Sequence, residues 1–120
     1  MPAVPVRRLV LVVEDEAGIR EILAEWLVEE GYRVQCAADG QEALDLVGTE
    51  VPDVIVTDIR MPRVHGIQLI ERLREAGHAI PVVVISAHYV GVDVQGVRFV
   101  GKPFDLDHIS AAVELSLMNG

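Results

Sequence analysis

Five polar residues of this chain stand at the ends of apolar runs. Glu14 and Asp15 follow "LVLVV", Asp58 closes "DVIVTD", Ser86 lies near the end of "IPVVVISA", and Lys102 comes directly after "VRFVG". Lys102 is the only lysine; every other formal cation is arginine. A carboxylate at the mouth of a buried strand costs free energy unless something uses it. Two carboxylates about 4 Å apart repel by about 4 kcal/mol at an effective dielectric near 20. If these acids meet, either their pKa values rise or a divalent cation sits among them. Hard oxygen ligands with room for water suit Mg²⁺. Taken singly, each residue has a plainer reading. An Asp after a strand is usually a turn former or helix cap, and Glu14 and Asp15 are ordinary first-turn acids. Ser86 is then a turn residue and Lys102 a solvated charge. The fold decides between the two readings.

The elements that would position these residues are legible along the chain. Residues 8–13, 32–37, 53–58, 80–87 and 97–101 read as strands, mostly apolar throughout. Between and after them run amphipathic segments. Ile19, Ile22, Leu23, Trp26 and Leu27 fall on one face of a helix that Gly31 stops. That stripe is core and not a cofactor box. Ala43, Leu44 and Val47 form the inward side of a short helix, and Ile67, Ile70 and Leu73 the core stripe of another, ended by Gly77. Residues 105–118 close with a helix, with Asp105 as its N-cap. Apolar strands separated by helices imply a parallel sheet covered on both faces. Right-handed crossovers then limit the topology to a doubly wound α/β sheet. Five strands fit the flavodoxin-like order 2-1-3-4-5, whose crevice lies beyond the carboxyl ends of strands 1 and 3. All five polar residues converge on that edge.

Composition sets outer bounds. The 120 residues suggest one domain, 7–120, after a short flexible leader, 1–6. At 51% hydrophobic and 24% charged, the chain can bury a core. A net charge of −9 argues against direct nucleic-acid binding and against anionic membranes. The single cysteine, Cys36, excludes an internal disulfide and reads as a small buried hydrophobe on the second strand. The apolar run Leu9 to Val13 has five residues, short of the about 7–15 of a secretory signal. No stretch approaches the about 20 residues of a membrane span. The expectation is a soluble, cytoplasmic protein. His65, His78 and His108 lack metal-ligand spacing and read as surface or cap residues.

"LVVEDE", "VTDIRMP", "VVISA" and "GKPF", in that order, resemble the receiver domain of bacterial two-component response regulators, over residues 8 to 118. The resemblance implies a role for each matching residue. Asp58 corresponds to the phosphoacceptor, which takes its phosphoryl group from a sensor histidine kinase or phosphotransfer protein. Asp15 corresponds to a direct Mg²⁺ ligand and Glu14 to its partner, with Asp58 and the Arg60 backbone carbonyl completing the metal site. Ser86 and Lys102 correspond to the groups that hold phosphoryl oxygens, and Phe99, with Ser86, to the conformational switch. The Lys102-Pro103 peptide bond is expected to be cis. Such a domain catalyses only its own phosphorylation and dephosphorylation and is otherwise no enzyme. Arg60 and His88, each two residues past a site residue, occupy positions that tune phosphoryl-group lifetime in the family or are rim residues.

One stretch departs from the family. Lys102 follows Ser86 by 16 positions, about six fewer than a receiver needs, or roughly 1.7 helical turns. Residues 88–97, with Gly91, Gly96 and four valines, are poor helix formers. The fourth helix is therefore expected to be shortened or missing, which leaves the usual dimer face and the oligomeric state open. Three other readings compete. A flavin-binding carrier would need a phosphate cradle where "EDEAG" stands and more aromatics than 4%. A metal-dependent phosphatase would place a second acid where Arg60 stands. A degenerate receiver, acting as a phosphorylation-independent interaction module, is opposed by the full set of site residues.

Overall fold

The computed structural model describes residues 7–59, 66–87 and 95–118. The leader 1–6, the Arg60 carbonyl, the Met61-Pro62 turn, His65, His88 and most of the 88–97 stretch lie outside them.

The elements follow in the order β1 (Leu9–Val13), α1 (Ala17–Glu29), β2 (Arg33–Ala37), α2 (Gly40–Thr49), β3 (Val54–Asp58), α3 (Gly66–Glu75), β4 (Val82–Ser86), β5 (Val97–Gly101) and α4 (Leu106–Met118). The five strands form one sheet in the order β2-β1-β3-β4-β5, and every pairing is parallel. Among the described residues there are four helices, and none lies between β4 and β5. This is the doubly wound sheet that the apolar runs require.

Strand parity explains the double covering. Val10, Val12, Val54, Val56, Val83 and Ile85 join Leu23, Leu27, Ile109 and Val113 of α1 and α4 in one core. Their neighbours Leu11, Val13, Ile55, Val82 and Val84 join Ala43, Val47, Leu69 and Leu73 of α2 and α3 in the other. Side chains alternate along a strand, so a strand apolar at every position serves both layers.

Helix ends use local devices. Asp39 Oδ1 accepts the Glu42 backbone N–H at 2.8 Å to begin α2, a cap the sequence reading did not name; Asp105, the N-cap read from the sequence, accepts the Asp107 N–H on Oδ1 at 2.9 Å beside α4. Gly31 and Gly77 stop α1 and α3 at φ of 101° and 86°, a region costly for any residue with a β-carbon.

Two expectations need correction. Ile22 belongs to the periodic stripe of α1 but is 53% exposed, whereas Ile19, Leu23, Trp26 and Leu27 join the core shared with α4. Cys36 is half-buried and not buried, because β2 is an edge strand and less of it is covered.

Candidate functional site

The strand order reverses between β1 and β3, and the crevice opens past their carboxyl ends. Asp58 is the last residue of β3 and is held by pairing with Ile85 of β4. It is 7% exposed, and Glu14, just past β1, is 3% exposed. Lys102 follows β5, and its Nζ donates to Asp58 Oδ2 at 2.5 Å across 44 positions of sequence. The Lys102 backbone N–H donates to the Ser86 carbonyl at 2.9 Å, which ties the ends of β4 and β5 together. Ser86 is itself buried. The Lys102-Pro103 peptide bond is cis, as the resemblance implies.

The electrostatics follow from burial. Burial pushes the Glu14 carboxyl up to about 7. A hydrogen bond with the Asp15 side chain and the charge of Asp58 push the same way, against the Glu16 backbone N–H and Lys102. For Lys102, burial alone would lower the pKa. The hydrogen bond to Asp58 and the charges of Asp58, Glu14 and Glu16 outweigh it, so the ammonium is held above its ordinary value. One cation thus faces an excess of negative charge.

That excess bears on a metal. Asp15 is exposed, and among the described residues no group of three or more His, Cys, Asp or Glu side chains forms a metal cluster. The expected trio in one small crevice is corrected to a looser arrangement. Glu14 meets Asp15 by a hydrogen bond and Asp58 through its field. The donor set still fits Mg²⁺, which uses only one or two carboxylates and keeps most of its waters.

Four of the five residues singled out at the strand ends come together: Glu14, Asp58, Ser86 and Lys102. Asp15 lies beside them on the solvent side. Phe99, half-buried on β5, pairs with Val84 and faces the α2–α3 core. His78 and His108 lie at the end of α3 and the start of α4, where the sequence places them.

Sequence reasoning missed the residues that act through the main chain. Gly66 opens α3 against the end of β3, and its N–H donates to the Ile59 carbonyl at 3.0 Å. Arg20 Nη1 donates to the Glu14 carbonyl at 2.8 Å, and Thr57 Oγ1 to the Asp58 carbonyl at 2.9 Å. Only Gly66 carried a signal, a glycine at the start of a periodic helix.

A doubly wound five-stranded sheet with buried acids and one lysine at its carboxyl edge defines a flavodoxin-like α/β domain with an acidic site. Residues 10–114 match the model of the response regulator receiver domain family. The response regulator MprA of Mycolicibacterium vanbaalenii is 37% identical over 119 residues, covering 94% of this chain and 51% of that protein. The receiver domain of Francisella response regulator 1452 superposes with a TM-score of 0.83 at 31% identity, covering 94% of this chain and 98% of that one. The Vibrio cholerae chemotaxis protein CheY4 gives 0.85 at 26% identity, covering 93% and 100%. The chain belongs to the response regulator receiver domain family, whose setting is two-component signalling. It spans about half the length of the curated relatives it matches.

Proposed function

We propose that Asp58 accepts a phosphoryl group from a phosphohistidine, on a sensor histidine kinase or a phosphotransfer protein, in a Mg²⁺-dependent reaction. The observation that carries this reading is the 2.5 Å contact between Lys102 Nζ and Asp58 Oδ2 at a buried sheet edge. The Lys102 ammonium set on that carboxylate offsets its charge at the buried edge and fixes the oxygen that would act as nucleophile.

In the transfer, an Asp58 oxygen forms the new O–P bond. The N–P bond of the phosphohistidine breaks, and its electron pair leaves with the imidazole. The transition state is loose and its charge is spread over three equatorial oxygens, so positioning and charge neutralisation do most of the work. Lys102 pairs with one of those oxygens and Ser86 donates to another. Asp15, Glu14 and Asp58, with the Arg60 carbonyl, are the groups that would hold the cation. Bound Mg²⁺ supplies neutralisation of the phosphoryl charge. Reversal is hydrolysis: water attacks phosphorus, the O–P bond breaks, and the Asp58 carboxylate returns. The domain thus catalyses only its own modification. Phe99, on the strand that leads to Lys102, is the switch residue that reports it.

The net charge of −9 favours a protein partner over nucleic acid for this stretch. No helix of the described residues is long and apolar enough to cross a membrane; the cytoplasmic location is part of the proposal, as the setting in which a sensor kinase would be met.

The test is mass spectrometry after treatment with acetyl phosphate and Mg²⁺. The wild-type chain should gain one phosphoryl mass, lost on mild alkaline hydrolysis, and Asp58→Asn should gain none. Stable aspartyl phosphate on Asp58→Asn would reject the assignment. An unlabelled wild type would favour the phosphorylation-independent module instead.

A further inference from the structure

The turn between β1 and α1 carries Glu14 and Asp15, and one side chain of α1 reaches back to hold it. Arg20 is half-buried in the first turn of that helix. Its Nη1 donates to the Glu14 carbonyl at 2.8 Å, while its backbone N–H donates to the Glu16 carbonyl at 2.9 Å. Glu14 is fixed on its other side too, where its N–H donates to the Ala37 carbonyl of β2 at 3.0 Å. Glu16, the N-cap of α1, makes no side-chain cap hydrogen bond, so the usual tie at a helix start is replaced by this one.

The consequence falls on Asp15. A peptide unit is planar, so fixing the Glu14 carbonyl fixes the plane that leads to the Asp15 α-carbon. Glu14 is buried and held by packing as well. Asp15 is exposed, so its place depends mainly on that plane. A ligand set in place before an ion arrives loses less conformational freedom on binding. The guanidinium bonds the main chain and not a carboxylate, so it takes up no side-chain oxygen that a cation would use.

We propose that Arg20 is a positioning residue for the cation site: through the Glu14 carbonyl it holds the Glu14–Asp15 peptide in the orientation that presents both acids to Mg²⁺. The role rests on the Mg²⁺-dependent reading of Asp58 given above, and Arg20 itself touches neither the ion nor the phosphoryl group. Charge alone would act in the opposite direction. Removing a cation beside an acidic site strengthens divalent binding, whereas losing an outer partner that orients a metal ligand weakens it by about 10–100-fold. The sign of the change separates the two.

The test is calorimetric titration of the intact chain with MgCl₂. Arg20→Met keeps the apolar stem and removes the donors, and its Kd should rise about tenfold. Arg20→Gln, whose amide stops short of the carbonyl, should show the same loss and carries the reading if Arg20→Met does not fold. Arg20→Lys keeps a cation and a donor on a shorter stem, so its affinity should fall between those of Arg20→Met and the wild type. In EDTA, the Glu14 carbonyl ¹³C resonance should move upfield in Arg20→Met, which reads the lost hydrogen bond without metal. With acetyl phosphate, the Mg²⁺ concentration for half-maximal labelling should rise by the factor seen in calorimetry, and the rate at saturating Mg²⁺ should change far less. A wild type that binds Mg²⁺ yet takes no label would reject Asp58 as phosphoacceptor, and calorimetry of the variants would still decide the role of Arg20. Unchanged or tighter Mg²⁺ binding in Arg20→Met and Arg20→Gln, or no binding by the wild type, would overturn the proposal.

Discussion

Gly66 lies against the main chain of Asp58 so closely that a β-carbon on it would stand 2.8 Å from the Asp58 carbonyl oxygen and 2.9 Å from the α-carbon of Ile59. Real β-carbons do not approach backbone this closely. The first turn of α3 and the end of β3 therefore share a contact that only glycine permits, and that contact sets where the Asp58 carboxylate is carried.

Gly66→Ala should push α3 away from β3. The neighbours are backbone, so the strain cannot be relieved by a side-chain rotation. A stability loss of about 1–3 kcal/mol is expected, as for overpacked cores. Urea unfolding checks that. Acetyl phosphate labelling of the folded fraction should slow as well, because Asp58 moves with its carbonyl.

Lys102→Met should separate two roles of one ammonium. Without it, negative charge at Glu14 and Asp58 is unbalanced, and Mg²⁺ affinity measured by calorimetry should rise. Phosphoryl transfer should nevertheless fall by about 10²–10³-fold, the usual loss for one group that stabilises transition-state charge. A variant that labels at the wild-type rate would show that the contact at Asp58 is only structural.

Glu14 should make the metal-free protein less stable as pH rises. Burial pushes its carboxyl from an ordinary 4.5 up to about 7 in the fold. Between those values the folded state holds a proton that the unfolded state has lost, so stability declines with increasing pH across that window. Urea midpoints in EDTA from pH 4.5 to 8 should show this decline. Glu14→Gln cannot ionise and should flatten it.

Asp15→Ala should weaken Mg²⁺ binding strongly, as read by calorimetry. Unchanged metal affinity would remove Asp15 from the site.

Trp26→Phe should loosen the junction of α1 and α4. Trp26 Nε1 donates to Ser110 Oγ at 2.5 Å, and Ser110 Oγ donates onward to Glu30 Oε1 at 2.9 Å. Loss of one such bond costs about 1 kcal/mol, which scanning calorimetry should read as a fall in Tm of roughly 3–5 °C.

The uninterrupted apolar strands and the helical stripes between them were enough to determine a doubly wound sheet and its strand order. Their periods are local, and crossover handedness leaves few ways to assemble them. The same reading placed Glu14, Asp15, Asp58, Ser86 and Lys102 on one edge, because a strand's last residue is known once its run is known. Which of two adjacent acids goes inward was a different matter. Glu14 is buried and Asp15 exposed, and neither composition nor spacing distinguishes them. The exposure of Ile22, the half-burial of Cys36 on an edge strand, and the need for glycine at position 66 were likewise decided by what lies opposite each residue. The contact between Lys102 and Asp58 joins positions 44 apart. Periodicity has no reach over such distances, whereas packing and charge act between whatever the fold brings within a few ångströms.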